Sequence, residues 1–321
     1  MTLSFLLKRL AQLLPVVLII IVFNFILMHT APGDPIYYLI GDAPVSQEFV
    51  DNLRANFGLD KPLYQQLYTY LIRVAHADFG LSIVFRASVI SVILERLPMT
   101  LLLMGTTFII AFFLGVLLGV LAAQRSGSAF DMGVSILSVV GYAIPIFWLG
   151  QMLMLVFSLY LDLFPSQGMI SLRDDLSPFE SVFSVLHHLI LPVCTLAPYF
   201  VAQIARLTKA NMLEVLRQDY ITVARSKGLR EEMVIFKHAL KNAISPVITI
   251  MGLNMRMLIT GAVLTETVFG WPGLGRLTYQ SIFARDYPVL LGLLAFTGFV
   301  VIIANLIVDI IYTYLNPRVR Y

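Results

Sequence analysis

Charge is what this chain has least of. Asp, Glu, Lys and Arg make up 13% of its 321 residues, where soluble proteins carry about a quarter. With 59% hydrophobic residues and a mean hydropathy of +0.85, that shortage excludes an ordinary water-soluble domain. Cysteine is nearly missing too: the single Cys194 cannot close an intrachain disulfide and is silent on redox compartment. No lysine follows a glycine, since the lysines come after Leu7, Asp60, Thr208, Ser226, Phe236 and Leu240. A phosphate-cradling GxxxxGK[ST] loop is therefore impossible, and with it an ATP site of that kind. The pair His187–His188 lacks the HExxH spacing and reads as interfacial rather than metal-binding. No nucleophile stands beside a base, so neither catalytic residues nor a metal site is expected, and internal repeats and low-complexity segments are absent.

What the chain does have is long apolar runs. Six windows, at 10–30, 98–123, 132–161, 189–207, 244–267 and 289–315, reach the roughly 17–25 residues that a helix needs to cross a hydrocarbon core of about 30 Å. They are continuously apolar, not alternating, which requires helices and excludes a barrel. The fold class is all-α, a six-span membrane protein. The first run is 21 residues long and shows no small-residue cleavage site, so it reads as an uncleaved helix. With the N-terminus inside, the inner loops hold 13 Lys and Arg and the much longer outer loops hold 8. The positive-inside rule then places both termini in the cytoplasm. The sequence pI of about 8.9 follows from that asymmetry and implies no nucleic-acid partner.

Three regions are expected: an N-terminal anchor helix (1–30), an outer cap of short helices (31–97) and a core (98–321) with a cytoplasmic loop at about 206–243. Within the cap, 46–57 and 63–77 show helical periodicity, and 88–97 predicts an amphipathic interfacial helix ending where Pro98 starts the second span. Pro145, Pro192, Pro198 and Pro246 are helix breakers carried within later spans, tolerated where neighbours or a cavity satisfy the freed carbonyls, with ordinary packing as the simpler reading of each. Gly115 and Gly119 have GxxxG spacing and predict close helix contact.

Ionisable residues inside spans are rare enough to be informative. Arg256 falls near the middle of the fifth span with Asn254 two residues before it and Glu266 ten residues after; Asp309 sits near the inner end of the sixth. A midplane arginine costs at least about 2.5 kcal/mol facing lipid. It either lines a polar path with Asn254 and Glu266 or makes a structural ion pair.

The most polar stretch is 219–243, with eight charged residues among 25. Its pattern predicts two amphipathic helices hinged at Gly228, which stands where a helix C′ residue takes a left-handed backbone. Glu231 and Glu232 open the second helix, where the macrodipole favours anions, and Leu229, Met233, Phe236 and Leu240 are its expected apolar stripe.

This segment resembles the cytoplasmic EAA loop of ABC importer permeases, keeping Ala224, Gly228 and Leu240 of that pattern; Thr222, Val223, His238 and Lys241 depart from it. The form "ARSKGL…HALKNA" is similar to the dipeptide, oligopeptide and nickel branch. So are "HTAPGDP", "FGLDKPLYQQLYTYL", "DFGLSI", "ETVFGWPGLGRL" and "RDYPVL" in order and spacing, from about residue 9 to 316. The resemblance implies a type I importer bundle in a bacterial inner membrane. It also implies a second homologous permease subunit, two ATP-binding subunits that hold the only nucleotide, and an extracytoplasmic solute-binding protein. Ala224, Arg225, Lys227, Gly228, Leu229 and Arg230 would couple to the ATPase, the cations finding its carboxylates. "GWPGLG" predicts a tight outer turn with Trp271 anchored at headgroup depth. The competing expectation is a self-sufficient ion-coupled transporter using Arg256, Glu266 and Asp309 as a relay.

Overall fold

The computed structural model describes residues 15, 18–27, 29–30, 46–56, 60–171, 177–254, 257 and 262–315. The expectations for Arg256 and for the side chain of Asp309 lie outside what is described. Among the described residues the chain is helical, and its only β feature is a bridge between Leu81 and Ser88. In chain order the helices are α1 (Leu18–Leu27), α2 (Gln47–Asn56), α3 (Leu63–Ala75), α4 (Val89–Gln124), α5 (Ala129–Ala143), α6 (Ile146–Tyr160), α7 (Pro178–Val215), α8 (Asp219–Ser226), α9 (231–243), α10 (Ser245–Asn254), α11 (Val263–Val268), α12 (Leu274–Phe283) and α13 (Tyr287–Leu315). Contacts divide the chain into two units, Met1–Pro98 with Leu277–Leu306, and Met99–Arg276 with Ile307–Tyr321.

In the first unit, two sequence motifs far apart in the chain meet at one carboxylate. Asp286 of "RDYP" is fully buried. Its Oδ2 accepts from the Ser82 hydroxyl at 2.5 Å and the Val84 amide at 3.2 Å, while Oδ1 faces the Val289 amide at 3.5 Å in the first turn of α13. Ser82 in turn accepts from the Phe85 amide at 2.9 Å. The "DFGLSI" loop is thereby tied to the start of α13, and every buried acceptor on that carboxylate is met. Nearby, Gly292 lies so close to Val89 that a Cβ would stand 2.4 Å from its Cγ1.

In the second unit, α4 (36 residues) and α7 (38 residues) are long and apolar enough to cross a membrane. At about 1.5 Å per residue each exceeds 50 Å, well beyond a bilayer's apolar thickness. They pack where the sequence predicts: a Cβ on Gly115 would stand 2.7 Å from Ile204, and one on Gly119 2.6 Å from the Ala205 carbonyl oxygen. The core around this contact includes Leu103, Phe108, Leu196, Phe200 and Ile204.

Two expectations are corrected. Pro98 does not start a helix; α4 runs through it, so 88–97 and the second span are one rod from Val89. The third span is not continuous but breaks at Ile144–Pro145 with a bend of 100° between α5 and α6, and α6 finishes as a π-helix, Met154–Tyr160. Pro192 and Pro198, by contrast, sit inside α7 without interrupting it. A proline removes one amide and crowds one carbonyl, which breaks the helix at Pro145 but is accommodated within α7.

Gly119→Val is expected to destabilise the protein by about 1–3 kcal/mol through overpacking, read as a lowered thermal midpoint in detergent. Gly133→Ala, whose added Cβ would meet nothing within 4 Å, should leave the midpoint unchanged or raise it.

Candidate functional site

Polarity at 219–243 is organised as a knuckle. α8 ends at Ser226, and the amide of Gly228 returns to the Arg225 carbonyl at 2.9 Å. Gly228 has φ +72°, and a Cβ there would meet nothing within 4 Å. Glycine is thus needed for its backbone and not for room; an L-residue in this left-handed conformation costs roughly 1–2 kcal/mol. The knuckle is rooted in a compact apolar cluster: Ile221 and Ala224 from α8 and Val234, Ile235, Ala239 and Ala243 from α9 pack on Val120 and Ala123 of α4 and Met212 of α7. Asn242 Nδ2 donates to the Tyr220 hydroxyl at 2.8 Å, and Asn211 Nδ2 to the Ala243 carbonyl at 3.3 Å.

The apolar stripe expected for α9 holds at Leu229 and Leu240, which pack against this cluster, but not between them. Met233 and Phe236 are 41% and 49% exposed, whereas Val234 and Ile235 are buried. The cause is a π-helical stretch, Val234–Ala239, whose i→i+5 bonding advances the inward face beyond the 3.6-residue period that the sequence suggests. Tyr220 and Val223 are exposed as well, so the knuckle presents four large apolar side chains.

Each expected coupling residue has a distinct place. Arg225, Lys227, Gly228 and Arg230 are exposed, Leu229 is half-buried and Ala224 is turned inward. Arg225 is already engaged: its Nη2 and Nε donate to Glu231 Oε1 and Oε2 at 2.6 and 3.2 Å, bridging the two sides of Gly228. Those hydrogen bonds hold the Glu231 carboxyl below the usual glutamate range and raise the Arg225 guanidinium. The brace is complete above the ordinary glutamate pKa and is lost as pH falls through the lowered one. Being solvent-exposed it contributes only about 0.2–1 kcal/mol. A second staple, missed from the sequence, holds the loop before α5. Asp131 pairs with Lys209 of α7 and accepts from the Gly127 amide at 3.0 Å, and the Lys209 hydrogen bond is the first cause keeping its carboxyl below the usual range.

Asn254 and Glu266 lie apart in character. Asn254 Nδ2 donates to Gln203 Oε1 of α7 at 3.1 Å, a partner that only the tertiary structure supplies. Glu266 is fully buried. Its Oε1 accepts from the Thr100 hydroxyl at 3.0 Å and its Oε2 from the Arg276 amide at 3.0 Å, with the Gly275 amide also bonded to it. The carboxyl group therefore closes the open amides at the start of α12, where the helix dipole favours an acceptor. Thr100 accepts from the Leu274 amide at 2.7 Å. A Cβ on Gly273 would stand 2.4 Å from Glu266 Oε2, and one on Gly275 2.9 Å from it. The "PGLG" glycines are the cavity that this carboxyl group fills.

Trp271 is likewise corrected. It has no solvent exposure, and its Nε1 donates to the Met99 carbonyl at 2.8 Å, so it belongs to the protein core and not to a headgroup layer.

Comparisons with known proteins give these features a context. The family described as binding-protein-dependent transport system inner membrane component matches residues 115–321, and the N-terminal family of such membrane components matches residues 2–104. The chain is 41% identical over 319 residues to the oligopeptide transport system permease protein AppB of Bacillus subtilis (strain 168), covering 99% of both chains. It is 39% identical over 336 residues to the dipeptide transport system permease protein DppB of Escherichia coli (strain K12), again covering 99% of both. Among solved structures, its fold is similar to a chain of the MetNI methionine ABC transporter in an inward-facing conformation, with a TM-score of 0.56 at 17% identity over 71% of this chain and 97% of that one.

Removing the Glu266 acceptor leaves buried donors unmet, each costing about 1–3 kcal/mol. Glu266→Ala is expected to lower the thermal midpoint sharply, while Glu266→Gln, which keeps one acceptor oxygen, should lose less; limited proteolysis at 270–276 should follow the same order.

Proposed function

The chain belongs to the family of binding-protein-dependent transport system inner membrane components, and from that premise we propose that it is the permease subunit of an ATP-driven importer of peptides. The single observation that carries the mechanism is the exposed knuckle at Gly228. A chain without a Gly-Lys dipeptide cannot hold ATP in a P-loop, so the energy has to enter through protein contact. The knuckle supports that role in two ways. Its root is continuous with the ends of α4 and α7 through a buried apolar cluster, and its rim carries exposed Val223, Met233 and Phe236 beside exposed Lys227 and Arg230.

On this reading two ATP-binding subunits grip the knuckles of this chain and of a second, related permease, and a solute-binding protein delivers cargo from outside. Lys227, Gly228 and Arg230 meet the ATPase, Leu229 and Ala224 hold the knuckle's shape, and Arg225 sets its angle through Glu231 instead of seeking a carboxylate on the partner. The chain is a multi-pass inner-membrane protein with six spans and both termini inside, arranged as an anchor (1–30), an outer cap (31–97) and a core (98–321). Closure of the ATPases tilts the bundles between two rigid arrangements. Shifting such a pair from 1:99 to 99:1 takes about 5.5 kcal/mol of differential binding. Asn254 and Arg256 lie on the path, whereas the complete set of donors around Glu266 supports a structural latch for that residue. The same enclosure, with full-length relatives that are transport-system permeases, speaks against an ion relay through Arg256, Glu266 and Asp309.

Gly228→Glu, or deletion of 225–232, is expected to abolish uptake and co-purification with the ATPase while membrane insertion stays normal. Unchanged ATPase binding in both variants would refute the coupling role, and gradient-driven uptake by the purified chain alone would favour the relay. The brace has its own test: Arg225→Glu should weaken ATP-coupled uptake, and the charge-swapped pair Arg225→Glu with Glu231→Arg should recover it. Failure of the swap to recover uptake would mean that Arg225 contacts the ATPase directly.

A further inference from the structure

Beyond the coupling site, we propose that the break between α5 and α6 is where the permease touches its cargo, with Tyr142, Tyr199, Gln203, Arg206 and Asn254 contacting the main chain and C-terminal carboxylate of a peptide. This deepens the reading of the chain as a peptide permease and rests on it.

Three observations converge on the same few residues. The first is the break itself. α5 and α6 are bent by 100° at Ile144–Pro145, and backbone that leaves the helix at membrane depth is tolerated only where it is buried in protein or lines a cavity. Transporters place their substrates at such discontinuous helices.

The second is a connected run of polar side chains from three helices. α5 lies antiparallel to α7, as Asp131 pairs with Lys209 and a Cβ on Gly141 would stand 3.1 Å from the Pro198 carbonyl oxygen. That register stacks Tyr142 on Tyr199, with ring centroids 5.0 Å apart and planes 17° from parallel. On α7, Tyr199, Gln203 and Arg206 follow at spacings of four and three and so share one face. The Arg206 guanidinium lies 6.0 Å from the Tyr142 ring centroid, and Gln203 is bonded to Asn254 of α10 at 3.1 Å. From Tyr199 to Arg206 the run covers about 10 Å at 1.5 Å per residue, the length of a short peptide.

The third observation is exposure. Tyr142 is 51% exposed, Arg206 is exposed and the other three are half-buried, so the chain does not bury this face against itself. Lipid is a poor solvent for two amides, and Arg206 stands at the inner end of the fourth apolar window, where the expected cytoplasmic loop begins. Among the described residues no carboxylate pairs with Arg206, whereas Lys209, one turn on, has Asp131. A free cation, a pair of amides and two ring faces match what every peptide has whatever its sequence: a terminal carboxylate, main-chain amides and apolar side chains.

The test uses the complete assembly in liposomes and two probes, radiolabelled trialanine and its C-terminal amide. Arg206→Gln is expected to lower ATP-driven uptake of trialanine by about tenfold, the loss of one charge-assisted hydrogen bond, and to leave uptake of the amide at its wild-type rate. Arg206→Lys should recover part of the loss. A benzophenone side chain in place of Gln203 should capture trialanine on irradiation during turnover. Equal loss for acid and amide, no loss for either, or benzophenone capture of lipid or of the second permease alone would overturn the site. Absence of ATP-driven uptake of both probes in the wild-type assembly would instead overturn the peptide-permease reading, and this site with it.

Discussion

A carboxyl group sealed from solvent must find its donors inside the protein, and much of the 99–276 unit is arranged to supply them to Glu266. One donor is a threonine hydroxyl about three turns into α4, and the others are amides at the start of α12. Bringing them together requires the chain to pass within van der Waals contact of the carboxyl oxygens, which only glycine at 273 and 275 permits. Trp271 then fills the space beside this turn and spends its indole N–H on the Met99 carbonyl. Three chain segments, α4, α11 and the start of α12, are joined by one group that cannot be left unmet.

The same two rods join that end of the unit to the knuckle. α4 contributes Leu103, Met104, Phe108 and Ala111 to one apolar cluster and Val120 and Ala123 to the other; α7 contributes Leu189 to Ile204 to the first and Met212 to the second. With Gly115 and Gly119 seated against Ile204 and Ala205, the rods have no slack to absorb a displacement separately. Close-packed interiors transmit strain instead of damping it. On the proposed function, a movement imposed at Gly228 would be carried along α7 toward Tyr199 and Arg206.

Legibility in the sequence followed the range of the interaction involved. The knuckle at Gly228 was readable because a helix stop and a helix start are local: an apolar periodicity, a glycine, then Glu231 and Glu232. GxxxG packing was readable for the same reason. The inward face of α9 was not, since Met233 and Phe236 satisfy a 3.6-residue stripe that a π-turn displaces. Nor was Pro98, which looks like a boundary but lies within α4. Glu266 and Trp271 misled in the same way. An ionisable residue in an apolar run suggests a path and a tryptophan near a span end suggests an interface, yet both are spent on partners 166 and 172 residues away.

By itself the sequence determined the class of molecule, because composition and apolar length decide which solvent a chain can tolerate, and the absence of a Gly-Lys dipeptide excluded a P-loop from these residues. It also determined where helices stop at Gly228 and where they approach at Gly115 and Gly119, since both depend on what a missing Cβ allows. Which polar residues are structural and which remain free was decided only by the tertiary structure. Glu266, Asp131 and Asp286 find donors or counter-charges across the fold, and among the described residues Arg206 meets no carboxylate, because the partners that a side chain meets across the fold are set by packing and not by its neighbours in sequence.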